Sequence, residues 1–192
     1  MRLLHLFYQM HVRFSMLLGR PVAQEDSGEL LGYVNGILLH PDTGTVEGFF
    51  VGVPRGFFGW HSLFLSSLDV RRLSTALFVR GSWVLSETEE IFRVQSLLAD
   101  ARTILGQKIR TVSGASLGTC ADVQFDTLHF RLEWIYPKRW FRLRDPLPAA
   151  EIVEVKSDAI VVKDPIVPAL LLEQEESTEE KARLMPSMPG AA

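Results

Sequence analysis

The chain has 192 residues, 47% of them hydrophobic, which excludes a disordered protein and allows one or two domains. A net charge of -3 and a pI near 6.0 argue against wholesale coating of nucleic acid but leave room for a local basic face. Cys120 is the single cysteine, so an intrachain disulfide and a cysteine metal cluster are excluded, and a cytoplasmic home is expected.

Residues 1–17 form an N-terminal extension with three readings. Leu3, Phe7, Met10, Phe14 and Leu17 fall at helical spacing. Such a helix would make peripheral contact with a membrane or a partner, with Arg2 and Arg13 beside lipid headgroups, or it would pack on the domain that follows. The third reading is a start at Met16, just ahead of the first recurrent motif. The stretch lacks a small-residue cleavage site, which makes it a poor signal peptide. No run of about 18 apolar residues occurs, so no transmembrane helix is expected.

Residues 18–85 form the first unit. A short strand at 20–23 precedes the turn Glu25-Asp26-Ser27-Gly28, and a second strand covers 32–39 with a bulge near Asn35-Gly36. Pro41-Asp42-Thr43-Gly44 is a hairpin signal, proline fixing φ and glycine closing the turn. Strands at 45–51 and near 61–65, a single turn at 66–69, and strands at 70–73 and 77–79 complete the set. Short strands at this spacing predict a small barrel or sandwich.

Residues 86–103 form a linker. Ser86-Glu87-Thr88-Glu89 has the form of a capping box, and Ile91, Val94, Leu98 and Ala101 follow along one face. The pattern predicts an amphipathic helix over 87–102, packed on or between the units. Residues 104–164 form the second unit, where Phe130, Leu132 and Trp134 alternate with Arg131 and Glu133 in the period of a half-buried strand. The tail, 165–192, holds several prolines and an acidic run over 173–180, a composition that predicts disorder.

The two units are versions of one design. Leu18-Gly19-Arg20-Pro21-Val22 returns as Leu105-Gly106-Gln107-Lys108-Ile109, Ser27-Gly28 as Ser113-Gly114, and Ser74-Thr75-Ala76-Leu77-Phe78-Val79 as Ser157-Asp158-Ala159-Ile160-Val161-Val162. With Gly32-Tyr33-Val34, Pro41-Asp42-Thr43-Gly44, Gly56-Phe57-Phe58-Gly59 and the segment 65–70, the first copy resembles the PRC-barrel family, named for the photosynthetic reaction-centre H subunit. The second copy lacks the Pro-Asp-Thr-Gly turn and the Phe-Phe-Gly segment. The resemblance implies six-stranded β-barrels that hold partners and have no common catalytic set. Family settings include the ribosome maturation factor, which binds a small-subunit ribosomal protein, and the H subunit, which docks on a membrane complex. This sequence departs from both, since it lacks an H-type anchor and its first half is itself barrel-like. The expected fold is therefore mainly β, two tandem small β-barrels joined by an amphipathic helix.

Chemistry-bearing residues are sparse. His5, His11, His40, His61 and His129 form no spaced metal motif, no glycine loop precedes a helix to hold phosphate, and no cofactor is expected. Cys120 has no neighbouring cation and is expected in the core. Asp122 and Asp126 can share a strand face without chemical meaning. One patch stands out: Lys138, Arg139, Trp140, Arg142 and Arg144, with Phe141 and Leu143 interleaved. As one strand it would place Trp140, Arg142 and Arg144 on one face and Arg139, Phe141 and Leu143 on the other. It is either an edge that contacts RNA phosphates and stacks a base, or a half-buried strand with arginines solvated or paired to Asp145 and Glu133. Phe57, Phe58 and Trp60 pose the same choice between core and partner site. The expectation is a non-enzymatic protein-binding scaffold. The alternatives are an RNA- or ribosome-associated assembly factor using 138–144, and an enzyme with a site between the barrels.

Overall fold

The structure, a computed structural model, describes residues 11–55, 59–88 and 91–165. It is mainly β, with two sheets that each curl into a half-barrel. Strand β1 (His11–Arg13) comes first and is set apart. The first sheet holds β2 (Pro21–Gln24), β3 (Leu30–Leu39), β4 (Val46–Arg55), β5 (Gly59–Ser66), β6 (Val70–Leu73), β7 (Leu77–Val79) and β8 (Leu85–Ser86), in the order β6-β7-β2-β3-β4-β5-β8. The second holds β9 (Lys108–Thr111), β10 (Ser116–Asp126), β11 (Arg131–Arg139), β12 (Arg142–Leu143), β14 (Ile152–Val155) and β15 (Ile160–Val162), in the order β12-β11-β10-β9-β15-β14. Strand β13 (Leu147–Pro148) also pairs with β11.

The sheets repeat one plan down to single bonds. Each contains one parallel pair, with Val22 opposite Leu77 in β2·β7 and Ile109 opposite Ile160 in β9·β15. In each, a 3-10 turn leads into the strand just before the later member of the parallel pair, Ser67–Asp69 before β6 and Ala149–Glu151 before β14. The Gly19 amide donates to Val34 O and the Gly106 amide to Cys120 O, both at 2.8 Å. Gly19 and Gly106 take φ of +75 and +77, and space is open where a Cβ would stand. Backbone geometry rather than crowding therefore selects glycine at both. The Pro41-Asp42-Thr43-Gly44 turn closes as its composition predicts, with Gly44 at φ +66 and its amide donating to His40 O.

The half-barrels share one core. Val22, Val34, Phe49, Val51 and Leu77 of the first sheet belong to the same buried cluster as Ile109, Val123, Phe125, Ile135 and Ile160 of the second. The Phe49 ring lies 6.1 Å from Phe125 and from Phe130. The hairpins β3–β4 and β10–β11, which are equivalent in the two units, meet there: the Val46 amide donates to Phe130 O and the Leu132 amide to Gly44 O.

Two expectations need correction. The helical stripe from Leu3 to Leu17 fails where the chain is described, since β1 and a 3-10 turn at Phe14–Met16 occupy residues 11–16; residues 1–10 lie outside the described residues. β1 pairs antiparallel with β10, Val12 opposite Phe125, so Val12, Phe14 and Leu17 are buried. Ser15 donates to the buried Asp122 carboxylate from its amide (3.0 Å) and its hydroxyl (2.5 Å). Pairing with a distant strand outweighed the local helical spacing. The linker helix is also shorter than predicted. It is α1 (Phe92–Leu98), with Ile91 as N-cap and no side-chain cap bond. Ser86 pairs opposite Phe64 in β8, and Glu87 lies 2.6 Å from His61 Nε2, so the sheet takes residues expected to open the helix. Glu89 lies outside the described residues. Beyond α1, Arg102 binds Asp100 and reaches Asp42, tying the linker to the β3–β4 turn. The acidic run at 173–180 lies outside the described residues.

Candidate functional site

The stretch 138–144 is a hairpin, which corrects the single strand expected from its alternation. Lys138 and Arg139 end β11, Trp140 and Phe141 make the turn, and Arg142 and Leu143 form β12. Lys138 stands opposite Leu143 and Arg139 opposite Arg142. The Arg144 amide donates to Pro137 O at 2.8 Å, fixing the return strand at its base. A two-residue reversal abolishes the predicted two-face division and puts both aromatics at the tip. Gly118 lies beneath: at φ +111 it takes a conformation that side chains resist, and any Cβ there would strike the Lys138 carbonyl oxygen.

Nothing packs over the tip. Trp140 is 84% and Phe141 93% exposed, and Leu143 is also exposed. Among the described residues, none of Lys138, Arg139, Arg142 and Arg144 has an ion-pair partner. Glu133, expected to pair with an arginine, instead lies 2.5 Å from His11 Nδ1, because β1 brings that histidine alongside. Two local features oppose the hairpin's stability. Trp140 adopts φ +59, a conformation costing a bulky side chain on the order of 1 kcal/mol. Arg139 and Arg142 are like charges placed directly across a strand pair.

Trp60 lies on the other sheet, in β5 opposite Pro54, and is 69% exposed. Its ring meets Tyr33 edge-on at 6.3 Å. Gly52 forms the floor: a Cβ there would stand 3.2 Å from the indole and 3.3 Å from the Asn35 amide nitrogen. Trp60 thus lies on the outside of the sheet and not in the core. Phe57 and Phe58 lie outside the described residues.

The catalytic candidates resolve into structural partnerships. Burial pushes the Cys120 thiol up to about 12, so it stays protonated in the core. Asp126 caps its turn by accepting from the Leu128 and His129 amides, and its carboxylate lies 2.5 Å from His129 Nδ1. Burial raises this carboxyl, but those hydrogen bonds prevail and hold it below the usual carboxylate range. His40 accepts the Asp42 amide. No cluster of three metal-ligating side chains occurs among the described residues. A cleft of about 340 Å³ between the units is lined by residues 41–44, Arg131, Leu132, 149–150 and 152–155. Its acids are engaged, Asp42 by Arg102 and Glu154 by Lys156. A second, open apolar groove of about 780 Å³, lined by Leu117, Pro137, Leu147 and Val162, starts at Leu143 and Arg144.

With the strand plan, the glycine-led turns and the parallel closing pair in place, the first unit can be compared with known families. Residues 10–76 match the PRC-barrel domain. The PRC-barrel match takes in β1 and ends just before β7, so it includes the strand that crosses to the second sheet. Trp60, Tyr33 and Gly52 fall inside it. The second sheet and the basic hairpin lie beyond it. The chain matches no curated protein. Sequence reasoning missed the half-buried Tyr33 beside Trp60 and the placement of Phe141 at the tip. The first left no signal, since strand alternation cannot tell an outer face from an inner one before the core is known.

Proposed function

We propose that the chain is a non-enzymatic binding module that holds a protein partner on the outer face of its PRC-barrel domain, with the second half-barrel as a degenerate copy of the same design. The observation that carries this reading is the exposed Trp60, braced by Tyr33 and outside the core that the two sheets share. A large, rigid aromatic on a preorganised surface is the usual anchor of a protein interface. The repeated strand order and parallel closing pair support the duplicated design, and the lone protonated cysteine fits a cytoplasmic setting. The test is affinity capture from cell lysate by the full tagged chain, with and without RNase. A partner that survives RNase and is lost on Trp60→Ala supports the reading; a partner held equally by the variant refutes the site.

The unpaired cations of the hairpin favour a second reading, an RNA-associated assembly factor. Its signature is RNA affinity that falls steeply with salt and falls again when Arg139, Arg142 and Arg144 are changed to alanine.

A further inference from the structure

We infer that the β11–β12 hairpin is a membrane-docking device that inserts Trp140 and Phe141 into the interface of an anionic lipid surface. It uses the sheet opposite to the Trp60 face, so it is independent of the protein-partner reading. Three observations converge on it. The two aromatics occupy adjacent positions at a two-residue tip and are almost wholly exposed, where an aqueous surface would leave about the largest possible apolar penalty. Trp and Phe side chains favour the headgroup zone, where ring and amphipathic edge are both accommodated. Four cations collar the tip. Arg139 and Arg142 stand one residue behind it, and Lys138 and Arg144 follow within about 3 Å of chain rise per residue. With the rings at headgroup depth, the collar lies at the lipid phosphates. The mutual repulsion of Arg139 and Arg142 is then relieved by an anion between them.

The shape favours lipid over RNA. RNA-binding sheets splay bases across a face on which aromatics lie flat, with cations tracking the backbone along a groove. Here the two aromatics occupy the tip of a two-residue reversal and not the face of a sheet, with the cations gathered behind them instead of tracking along a strand face.

The experiment uses the full chain with extruded vesicles of phosphatidylcholine alone, or with 30% phosphatidylglycerol, in a flotation assay. Binding to the anionic vesicles only is expected, falling as salt rises. Trp140→Ala with Phe141→Ala is expected to weaken it at least tenfold, and each of Arg139→Ala, Arg142→Ala and Arg144→Ala about fivefold. Circular dichroism and the thermal midpoint show that the variants fold. Should the alanine pair prevent folding, Trp140→Phe serves instead: quenching of tryptophan fluorescence by lipid-borne nitroxide is expected in the unaltered chain and is expected to be lost in this variant, which removes the indole at the tip, and quenching that persists overturns the inference. Absence of anionic-vesicle binding overturns the inference. So does binding unchanged in the aromatic variant, which would place the contact elsewhere. So does binding to single-stranded RNA without vesicle binding, lost with the same arginines, which would return the hairpin to the RNA reading.

Discussion

Individual residues show where composition dictates structure and where it does not. Gly19, Gly44 and Gly106 adopt left-handed backbone, and each was visible in the sequence as the glycine of a turn or strand entry. Trp140 also has a positive φ, but nothing in its type announces this, since a tryptophan in an alternating basic stretch resembles an ordinary strand residue. Asp126 shows what a short-range motif conceals. Its carboxylate binds two amides and a histidine ring within three residues, so the turn depends on its ionised form. Because folding holds this carboxyl below the usual range, the stabilisation is present above the ordinary carboxylate value and is lost as the pH falls through the folded one. Asp126→Asn is therefore expected to lower the melting temperature at pH 7, and by less and less as the pH drops below about 4. Thermal scans of both proteins from pH 3 to 7 decide it, and a penalty independent of pH contradicts the account.

At the scale of elements, strand identity was legible and helix extent was not. Alternation and turn chemistry located the hairpins because each strand buries one face against its own sheet. The 87–102 helix was predicted from local capping and periodicity, but Ser86 and Glu87 gain more from β8 pairing and His61 than from opening a helix. The extension at 11–17 failed in the same way. Its apolar spacing fits a helix, yet β1 on β10 and the 3-10 turn that follows bury Val12, Phe14 and Leu17. β1 should therefore be worth a large share of the stability. Phe14→Ala is expected to cost about 3 kcal/mol in urea unfolding, and removal of residues 1–15 to cost more, because it also leaves the buried Asp122 without Ser15. A truncated chain as stable as the full one would show that β1 is ornamental.

At the scale of the molecule, the repeated motifs fall at corresponding strands of the two sheets, but the core those sheets share was not legible. Periodicity identifies an apolar face but cannot say whether its cover comes from its own unit or the next. Here the cover is mutual, with Phe49 of one sheet packed on Phe125 and Phe130 of the other and both hairpin turns exchanging backbone bonds. Units sharing a core unfold together. Scanning calorimetry is expected to give a single transition whose calorimetric and van't Hoff enthalpies agree, and Phe49→Ala is expected to shift it without splitting it. Two resolved transitions would mean the halves are separate domains after all. The basic hairpin stands outside this fused core, which is why composition could single out the patch while its protrusion emerged only from the fold.

The crossing of β1 also bears on the order of events during synthesis. Ser15 and its partner Asp122 are separated by 107 residues, so a ribosome working at about 5–20 residues per second emits β1 roughly 5 to 20 seconds before its place on β10 exists. In that interval Val12 on the strand and Phe14 just after it lack their cover beside a half-finished protein. A neighbouring nascent chain farther along has a vacant β10 of the same sequence, so crowded polysomes offer this molecule a route to exchange-linked dimers that dilute refolding does not.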